Sequence, residues 1–132
     1  MERTLIILKP DAVRRNLIGT ILNVFTQHGL EIEEMIMLQP TKEHIAAHYS
    51  QHFSKAFYPR IEQFMTSNKI VICILRGYGA IRCARELVGA TNPMDAEPGT
   101  IRQMYASSYE ENVVHASESM KDVEREVKIW FT

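Results

Sequence analysis

The chain has 132 residues, of which 45% are hydrophobic and 23% are charged, and its formal net charge is −1. This length favours one domain spanning residues 1–132, and the ordinary apolar fraction at near-zero net charge excludes intrinsic disorder. The same charge balance makes nucleic-acid binding unlikely, and no apolar stretch approaches the ~18 residues of a membrane span. The two cysteines form no C-x-x-C motif, so we expect reduced thiols in a cytoplasmic protein.

The start of the chain predicts a strand followed by a helix. Residues 4–8 form a short apolar run that is closed by Pro10, which is typical of a buried strand. Between residues 16 and 28 the apolar side chains recur at helical spacing, and Gly29 is a plausible helix stop. These patterns predict a strand over 4–8 and a helix over 16–28.

The middle of the chain predicts a second strand and a pair of helices. Residues 30–38 begin with apolar and polar alternation, and Glu33-Glu34 break the alternation as a bulge would. Thr41 is a suitable N-cap for a helix that runs to about residue 53. We expect a short helix over residues 60–65 to follow it.

The second half predicts two strands, two helices and one long loop. Residues 70–75 are continuously apolar and β-branched, which is typical of a central strand. Apolar residues at helical spacing predict helices over 81–88 and 123–130, and residues 113–115 read as a short strand. Residues 89–111 have no clean period, so we expect a long loop, and loops of this length in compact domains are usually functional.

The order of these elements defines the predicted fold class. The predicted order is strand, helix, strand, helix pair, strand, helix, loop, strand and helix. This order contains a βαββαβ core, which matches a ferredoxin-like split βαβ arrangement. We therefore predict an α+β fold with an antiparallel sheet and with the helices packed on one face of it.

Common catalytic motifs are absent from the sequence. No Walker loop, no G-x-G-x-x-G after a strand, no H-E-x-x-H and no G-x-S-x-G occurs. What remains are single basic and polar residues at the edges of predicted elements, each of which alone is usually a surface charge or a structural side chain. They are Lys9, Arg85, Arg102, Asn112, His115 and Ser117.

Three histidines on one predicted helix raise the alternative of a metal site. His44, His48 and His52 recur every four residues, and neutral imidazoles at this spacing can bind zinc. No carboxylate or cysteine is convincingly placed in the sequence to complete such a site. We therefore do not expect zinc here.

Four segments, in their order and spacing, closely resemble the nucleoside diphosphate kinase family. They are Lys9-Pro10-Asp11-Ala12-Val13, Gly89-Ala90-Thr91-Asn92-Pro93, Pro98-Gly99-Thr100-Ile101-Arg102 and Asn112-Val113-Val114-His115-Ala116-Ser117-Glu118-Ser119. The resemblance covers essentially all of the chain, including Ile129-Trp130-Phe131 near its end. It implies transfer of the γ-phosphate from a nucleoside triphosphate donor to a nucleoside diphosphate acceptor, in a ping-pong mechanism through a phosphohistidine.

The resemblance also implies a role for each candidate residue. His115 becomes phosphorylated, Glu126 orients its imidazole with Ser117 close by, and Tyr49 hydrogen-bonds near it. The nucleotide is held by Lys9, Arg85, Thr91 and Arg102 on the phosphates, by Asn112 on the sugar and by Phe57 on the base. Mg²⁺ enters on the nucleotide phosphates, with no direct protein ligand. The family further implies a cytoplasmic homo-oligomer, a tetramer or a hexamer, and the short C-terminus favours a bacterial-type tetramer.

The residue types suit that chemistry. Imidazole titrates near ~6.5 and is largely a neutral nucleophile at neutral pH. A carboxylate on the far ring nitrogen sets the tautomer and stabilises the cation that forms. Lysine and arginine side chains stabilise charge that develops on phosphoryl oxygens. An aromatic ring stacks with any base, which predicts tolerance of all common bases.

The sequence departs from the family pattern in two loops, and it leaves a second interpretation open. Two loop segments differ from the residues that are commoner in the family, namely Gln103-Met104-Tyr105 and Tyr109-Glu110-Glu111. In addition, Ala116 stands where the family more commonly has glycine. We expect the added negative charge to weaken nucleotide binding, or the changed loop to alter assembly. The second interpretation is a catalytically silent binding module, against which the presence of both His115 and Glu126 argues.

Overall fold

The fold, described here from a computed structural model of residues 1–132, is built on one four-stranded antiparallel sheet. The strands are β1 (Glu2–Leu8), β2 (Glu31–Leu38), β3 (Ile70–Gly77) and β4 (Val114–Ala116), in the spatial order β2-β3-β1-β4. This order within a βαββαβ chain is the ferredoxin-like arrangement, so the predicted α+β class is confirmed. No helix has the length and apolar character needed to cross a membrane.

Seven helices accompany the sheet. They are α1 (Pro10–Arg14), α2 (Ile18–Gln27), α3 (Lys42–His48), α4 (Tyr58–Met65), α5 (Ala80–Val88), α6 (Ile101–Tyr105) and α7 (Met120–Trp130). Thr41 caps α3 as predicted, because its hydroxyl accepts the His44 N–H. The prediction that this helix continues to residue 53 is wrong, since a separate 3₁₀ turn, Ser50–His52, follows it.

The long loop predicted for residues 89–111 is only partly a loop. It contains a 3₁₀ turn, Pro93–Asp95, and helix α6. Thr100 caps α6 by accepting the Gln103 N–H, which is the local signal that begins this helix. Five residues are too few to show a hydrophobic period, so the sequence pattern did not predict α6.

The helices pack on both faces of the sheet, so the expectation of one covered face is wrong. Successive residues of β1 enter different cores: Ile6 joins the cluster that contains Phe25 of α2, whereas Ile7 joins the cluster that contains Trp130 of α7. The physical reason lies in the continuously apolar strands, since a strand without polar alternation must be covered on both sides. A bulge in β2 between Ile32 and Glu34 confirms the predicted break in alternation.

The pairing of β1 with β4 brings two distant segments together. Ile7 lies opposite His115 and Leu8 lies opposite Val114, and beyond the last pair the Lys9 N–H donates to the Val113 carbonyl at 2.9 Å. Because the strands are antiparallel, the end of β1 meets the start of β4. Lys9 is thereby placed beside the segment that carries Asn112 and His115.

Candidate active site

One open cavity of about 560 Å³ gathers the candidate residues that the sequence scatters over the chain. Nine of the ten predicted site residues line it, and the tenth, Ser117, lies behind Glu126 and hydrogen-bonds to it. The nine are Lys9, Tyr49, Phe57, Arg85, Thr91, Arg102, Asn112, His115 and Glu126. The cavity therefore forms the candidate active site.

His115 and Glu126 form the centre of the site. His115 is the middle residue of β4, and its Nε2 lies 3.1 Å from both carboxylate oxygens of Glu126 on α7. Ser117 donates its hydroxyl hydrogen to Glu126 Oε1. A carboxylate on Nε2 selects the tautomer that carries its hydrogen there, which leaves Nδ1 with a free lone pair.

Glu126 is buried, with only 3% of the residue exposed, yet it is held as a carboxylate. Burial alone would raise its pKa, but the hydrogen bond and charge of His115, with smaller contributions from His48 and Ser117, lower the pKa to about 2. Glu126 thus carries a full negative charge beside the His115 ring at neutral pH.

His48 is a member of this cluster that the sequence reasoning did not include. Its ring lies edge-on against His115 with centroids 4.6 Å apart, and its Nε2 is 3.8 Å from Glu126 Oε2. Trp130 donates its indole N–H to His48 Nδ1 at 3.1 Å. Burial and the charge of His115 lower the His48 pKa well below its usual range, so the ring is neutral.

Three cationic side chains, those of Lys9, Arg85 and Arg102, lie together at one end of the cavity. Lys9 Nζ donates to Asn112 Oδ1 at 2.7 Å, and Arg102 donates to the carbonyls of Gly89 and Val114 at 3.2 and 2.7 Å. Burial and then the charge of Arg102 lower the Lys9 pKa to about 7. Burial and then the charge of Arg85 lower the Arg102 pKa to about 10.

The lowered pKa values of Lys9 and Arg102 indicate an excess of positive charge in this part of the cavity. Each cation disfavours its neighbour, and the carbonyl oxygens that solvate Arg102 carry no net charge. A bound polyanion would reverse both effects, because it supplies the missing negative charge. This end of the cavity therefore favours a ligand that carries several negative charges.

Gly89 makes the Arg102 position possible. It ends α5 with φ +90°, a conformation that glycine adopts at little cost. A Cβ at this position would lie 2.6 Å from the Thr100 hydroxyl oxygen, so any other residue would collide with the cap of α6. The glycine lets α5 and α6 approach closely enough for Arg102 to reach its carbonyl.

Another part of the cavity wall is aromatic. The Phe57 side chain is partly exposed there and packs against His52 with ring centroids 5.5 Å apart. Tyr49 also lines the cavity, and its ring lies edge-on to His48 with centroids 4.7 Å apart. Burial and the nearby Glu126 raise the Tyr49 pKa, so its hydroxyl stays protonated and can donate a hydrogen bond.

Two loop residues, Asn112 and Glu110, form hydrogen bonds or ion pairs with other parts of the cavity wall. Asn112 donates its side-chain N–H to the carbonyls of Tyr109 and Thr91 at 3.0 and 3.3 Å. Arg60 on α4 pairs with Glu110 at 2.8 Å, which ties one wall of the cavity to the other. The negative charge that the sequence adds at Glu110 is therefore partnered within the protein.

The three histidines of the predicted helix, His44, His48 and His52, do not bring their ring nitrogens together into one cluster. His44 Nδ1 accepts the Thr41 N–H, and His52 packs on Phe57. His48, His115 and Glu126 do place three ligand atoms within 4.8 Å of one another. Two imidazoles with a carboxylate suit zinc rather than Mg²⁺, which prefers oxygen ligands. The cluster lies in the same cavity as the side chains of Lys9, Arg85 and Arg102.

Comparisons with known proteins agree along the whole chain. The family model described as nucleoside diphosphate kinase matches residues 2–132. A nucleoside diphosphate kinase of Rhodopirellula baltica is 47% identical over 131 residues, with 99% of this chain and 86% of the relative covered. One of Methanocaldococcus jannaschii is 44% identical over 130 residues, with 98% and 93% covered.

Solved structures show the same likeness. The crystal structure of the enzyme from Encephalitozoon cuniculi superposes with a TM-score of 0.96 at 36% identity, covering 99% of this chain and 89% of that one. The enzyme from Aquifex aeolicus superposes with a TM-score of 0.95 at 34% identity, covering 99% and 95%.

Proposed function

The chain belongs to the nucleoside diphosphate kinase family, and from this premise we propose that His115 carries the phosphoryl group between its two nucleotides. As a member, the protein is a phosphotransferase that moves the γ-phosphate of a nucleoside triphosphate to a nucleoside diphosphate. The observation that carries the proposal is the 3.1 Å contact of Glu126 with His115 Nε2, which leaves Nδ1 free in a cavity lined by cations.

The first half-reaction follows from this geometry. The Nδ1 lone pair of His115 attacks the γ-phosphorus, the new N–P bond forms, and the bond to the β–γ bridging oxygen breaks. The nucleoside diphosphate leaves with that electron pair, and the ring keeps its hydrogen on Nε2. Glu126 stabilises the positive ring through that hydrogen. A second nucleoside diphosphate reverses these steps and takes the phosphoryl group away.

Lys9, Arg85 and Arg102 stabilise the transferring group. Charge in the transition state is spread over the phosphoryl oxygens, so catalysis depends on positioning and electrostatics. One cation at about 4 Å contributes roughly 4 kcal/mol of Coulomb energy at an effective dielectric constant near 20. Three such cations supply a large part of the barrier reduction, and the arginine forks can bind two oxygens each.

The remaining residues bind the nucleotide outside the reacting group. Phe57 stacks on the base, Asn112 binds the sugar, Thr91 binds phosphate, and Tyr49 donates a hydrogen bond beside His115. Stacking on an aromatic ring contributes roughly 1–3 kcal/mol and does not depend on the base. The site therefore accepts all common bases, because sugar and phosphates are recognised in each of them.

We also propose the cofactor and the setting of the reaction. Mg²⁺ would enter on the nucleotide phosphates and would neutralise part of their charge. Lys9, Arg85 and Arg102 surround the proposed phosphate position with positive charge, so no side chain there would hold the ion directly. Residues 1–132 act as one domain, in a cytoplasmic homo-oligomer that is a tetramer or a hexamer.

Labelling tests the proposal directly. Incubation with γ-labelled ATP and Mg²⁺ should place an acid-labile, alkali-stable label on the wild-type protein, and added nucleoside diphosphate should remove it. The His115→Ala variant should take up no label. An unlabelled wild type, or a label that persists in His115→Ala, contradicts the assignment. Double-reciprocal plots for two substrates should be parallel, as a ping-pong mechanism requires.

A further inference from the structure

Val113 has a backbone conformation that its side chain disfavours. Its φ is +66°, and it is one of two non-glycine residues with positive φ. The Val114 N–H donates to the Asn112 carbonyl at 2.8 Å, which closes a three-residue γ-turn around Val113. A β-branched residue in this region is strained, so the surrounding structure must hold it there.

The strained turn stands between two residues of the active site. Asn112 precedes it and accepts a hydrogen bond from Lys9 Nζ at 2.7 Å. His115 follows it by two residues and contacts Glu126 at 3.1 Å. The direction of the chain at Val113 therefore sets where Asn112 and His115 lie relative to Lys9.

Asp11 and Lys9 both hydrogen-bond to the backbone of Val113. Its Oδ2 accepts the Val113 N–H at 3.2 Å, and only 3% of the residue is exposed. The Lys9 N–H donates to the Val113 carbonyl at 2.9 Å, so residues 9 and 11 bind both sides of Val113. Asp11 does not line the cavity, and its second oxygen is buried without a hydrogen-bond partner.

We propose that Asp11 is a positioning residue, which holds Val113 in the γ-turn and so fixes His115 and Asn112 in the geometry for phosphoryl transfer. This inference rests on the proposed role of His115. Burial of this side chain is costly: it raises the Asp11 pKa, and the Lys9 charge and the backbone N–H groups around the carboxyl offset that rise only in part. Without the hydrogen bond, Val113 relaxes to negative φ and the chain changes direction just before β4.

A double-mutant cycle tests the coupling between the two residues. Asp11→Ala should lower the single-turnover rate of His115 phosphorylation at saturating ATP by about tenfold or more, while KM changes less. Glycine adopts positive φ readily, so the same change in a Val113→Gly background should cost about threefold or less. An equal loss in both backgrounds, or an unchanged rate in Asp11→Ala, overturns the proposal.

Two further measurements separate positioning from folding. Asp11→Asn keeps an oxygen that can accept the Val113 N–H, so its rate should stay within about threefold of wild type. Exchange of the Val113 amide hydrogen should be slow in the wild type and in Asp11→Asn, and fast in Asp11→Ala. If Asp11→Ala does not fold, the Asp11→Ala Val113→Gly double variant should fold and label, and its failure overturns the proposal.

The cycle requires a wild type that labels, so its failure can be distinguished from a failure of the labelling test. If the wild type does not label, the role of His115 fails. If the wild type labels and the cycle shows no coupling, only the role of Asp11 fails.

Discussion

The carboxylate of Glu126 should be worth one to two orders of magnitude in phosphorylation rate. Glu126→Gln keeps the shape of the side chain but removes the negative charge that lies 3.1 Å from His115 Nε2. Hydrogen bonds to charged groups contribute about 1.5–3 kcal/mol, which corresponds to about 10- to 150-fold in rate. The bond strengthens as the ring becomes positive, so the loss should fall on the chemical step. Rapid-quench measurement of His115 labelling at saturating ATP reads that step alone.

A neighbouring glutamate supplies the matched control. Glu124 lies on the same helix and is exposed, so Glu124→Gln makes the same change of charge away from the ring and should leave the rate unchanged. Thermal unfolding of both variants would show that the fold is retained. A folded Glu126→Gln protein that labels at the wild-type rate would refute the assigned role of the carboxylate.

Three other predictions concern nucleotide binding. ADP affinity should fall as pH rises above 7, because the pKa of Lys9 is lowered to about 7 in the free protein and bound phosphates raise that pKa, so that binding takes up a proton. Calorimetry in buffers of different ionisation enthalpy measures the proton uptake. In Lys9→Gln the dependence of ADP affinity on pH should disappear. Phe57→Ala should raise the KM of every nucleoside diphosphate by about 5- to 150-fold, and a loss confined to one base would contradict unselective stacking. Glu110→Gln should change ADP affinity by less than about fivefold, because exposed ion pairs such as that with Arg60 at 2.8 Å are worth about 0–1 kcal/mol; a larger gain would show that the charge repels phosphate.

Much of the fold could be predicted because its strands have a strong local signal. The apolar run in β3 and the break in alternation in β2 appear in the structure where the pattern predicts them. The same apolar runs also indicate a sheet that is covered on both faces. We expected one covered face because of the match to a ferredoxin-like arrangement. Helix α6 was missed because its signal is a single capping residue, Thr100.

The active site could be predicted because the chain resembles a known family, and six of the ten candidate residues lie in the four segments that carry the resemblance. Nine of the ten candidates line one cavity, because the pairing of β1 with β4 and the packing of α7 bring distant segments together. His48 was missed since its role depends on a hydrogen bond with Trp130, 82 residues away. No local rule predicts positive φ at a valine, so the turn at Val113 and its hydrogen bond with Asp11 are visible only in the structure.

The position of the phosphoryl group on the ring tests the central claim most directly. Heteronuclear NMR of the phosphorylated protein, with ¹⁵N-labelled histidine, distinguishes the two ring nitrogens. Because Glu126 contacts Nε2 of His115 at 3.1 Å, we predict phosphorus on Nδ1 and hydrogen on Nε2. Phosphorus on Nε2, or on a residue other than His115, would contradict it.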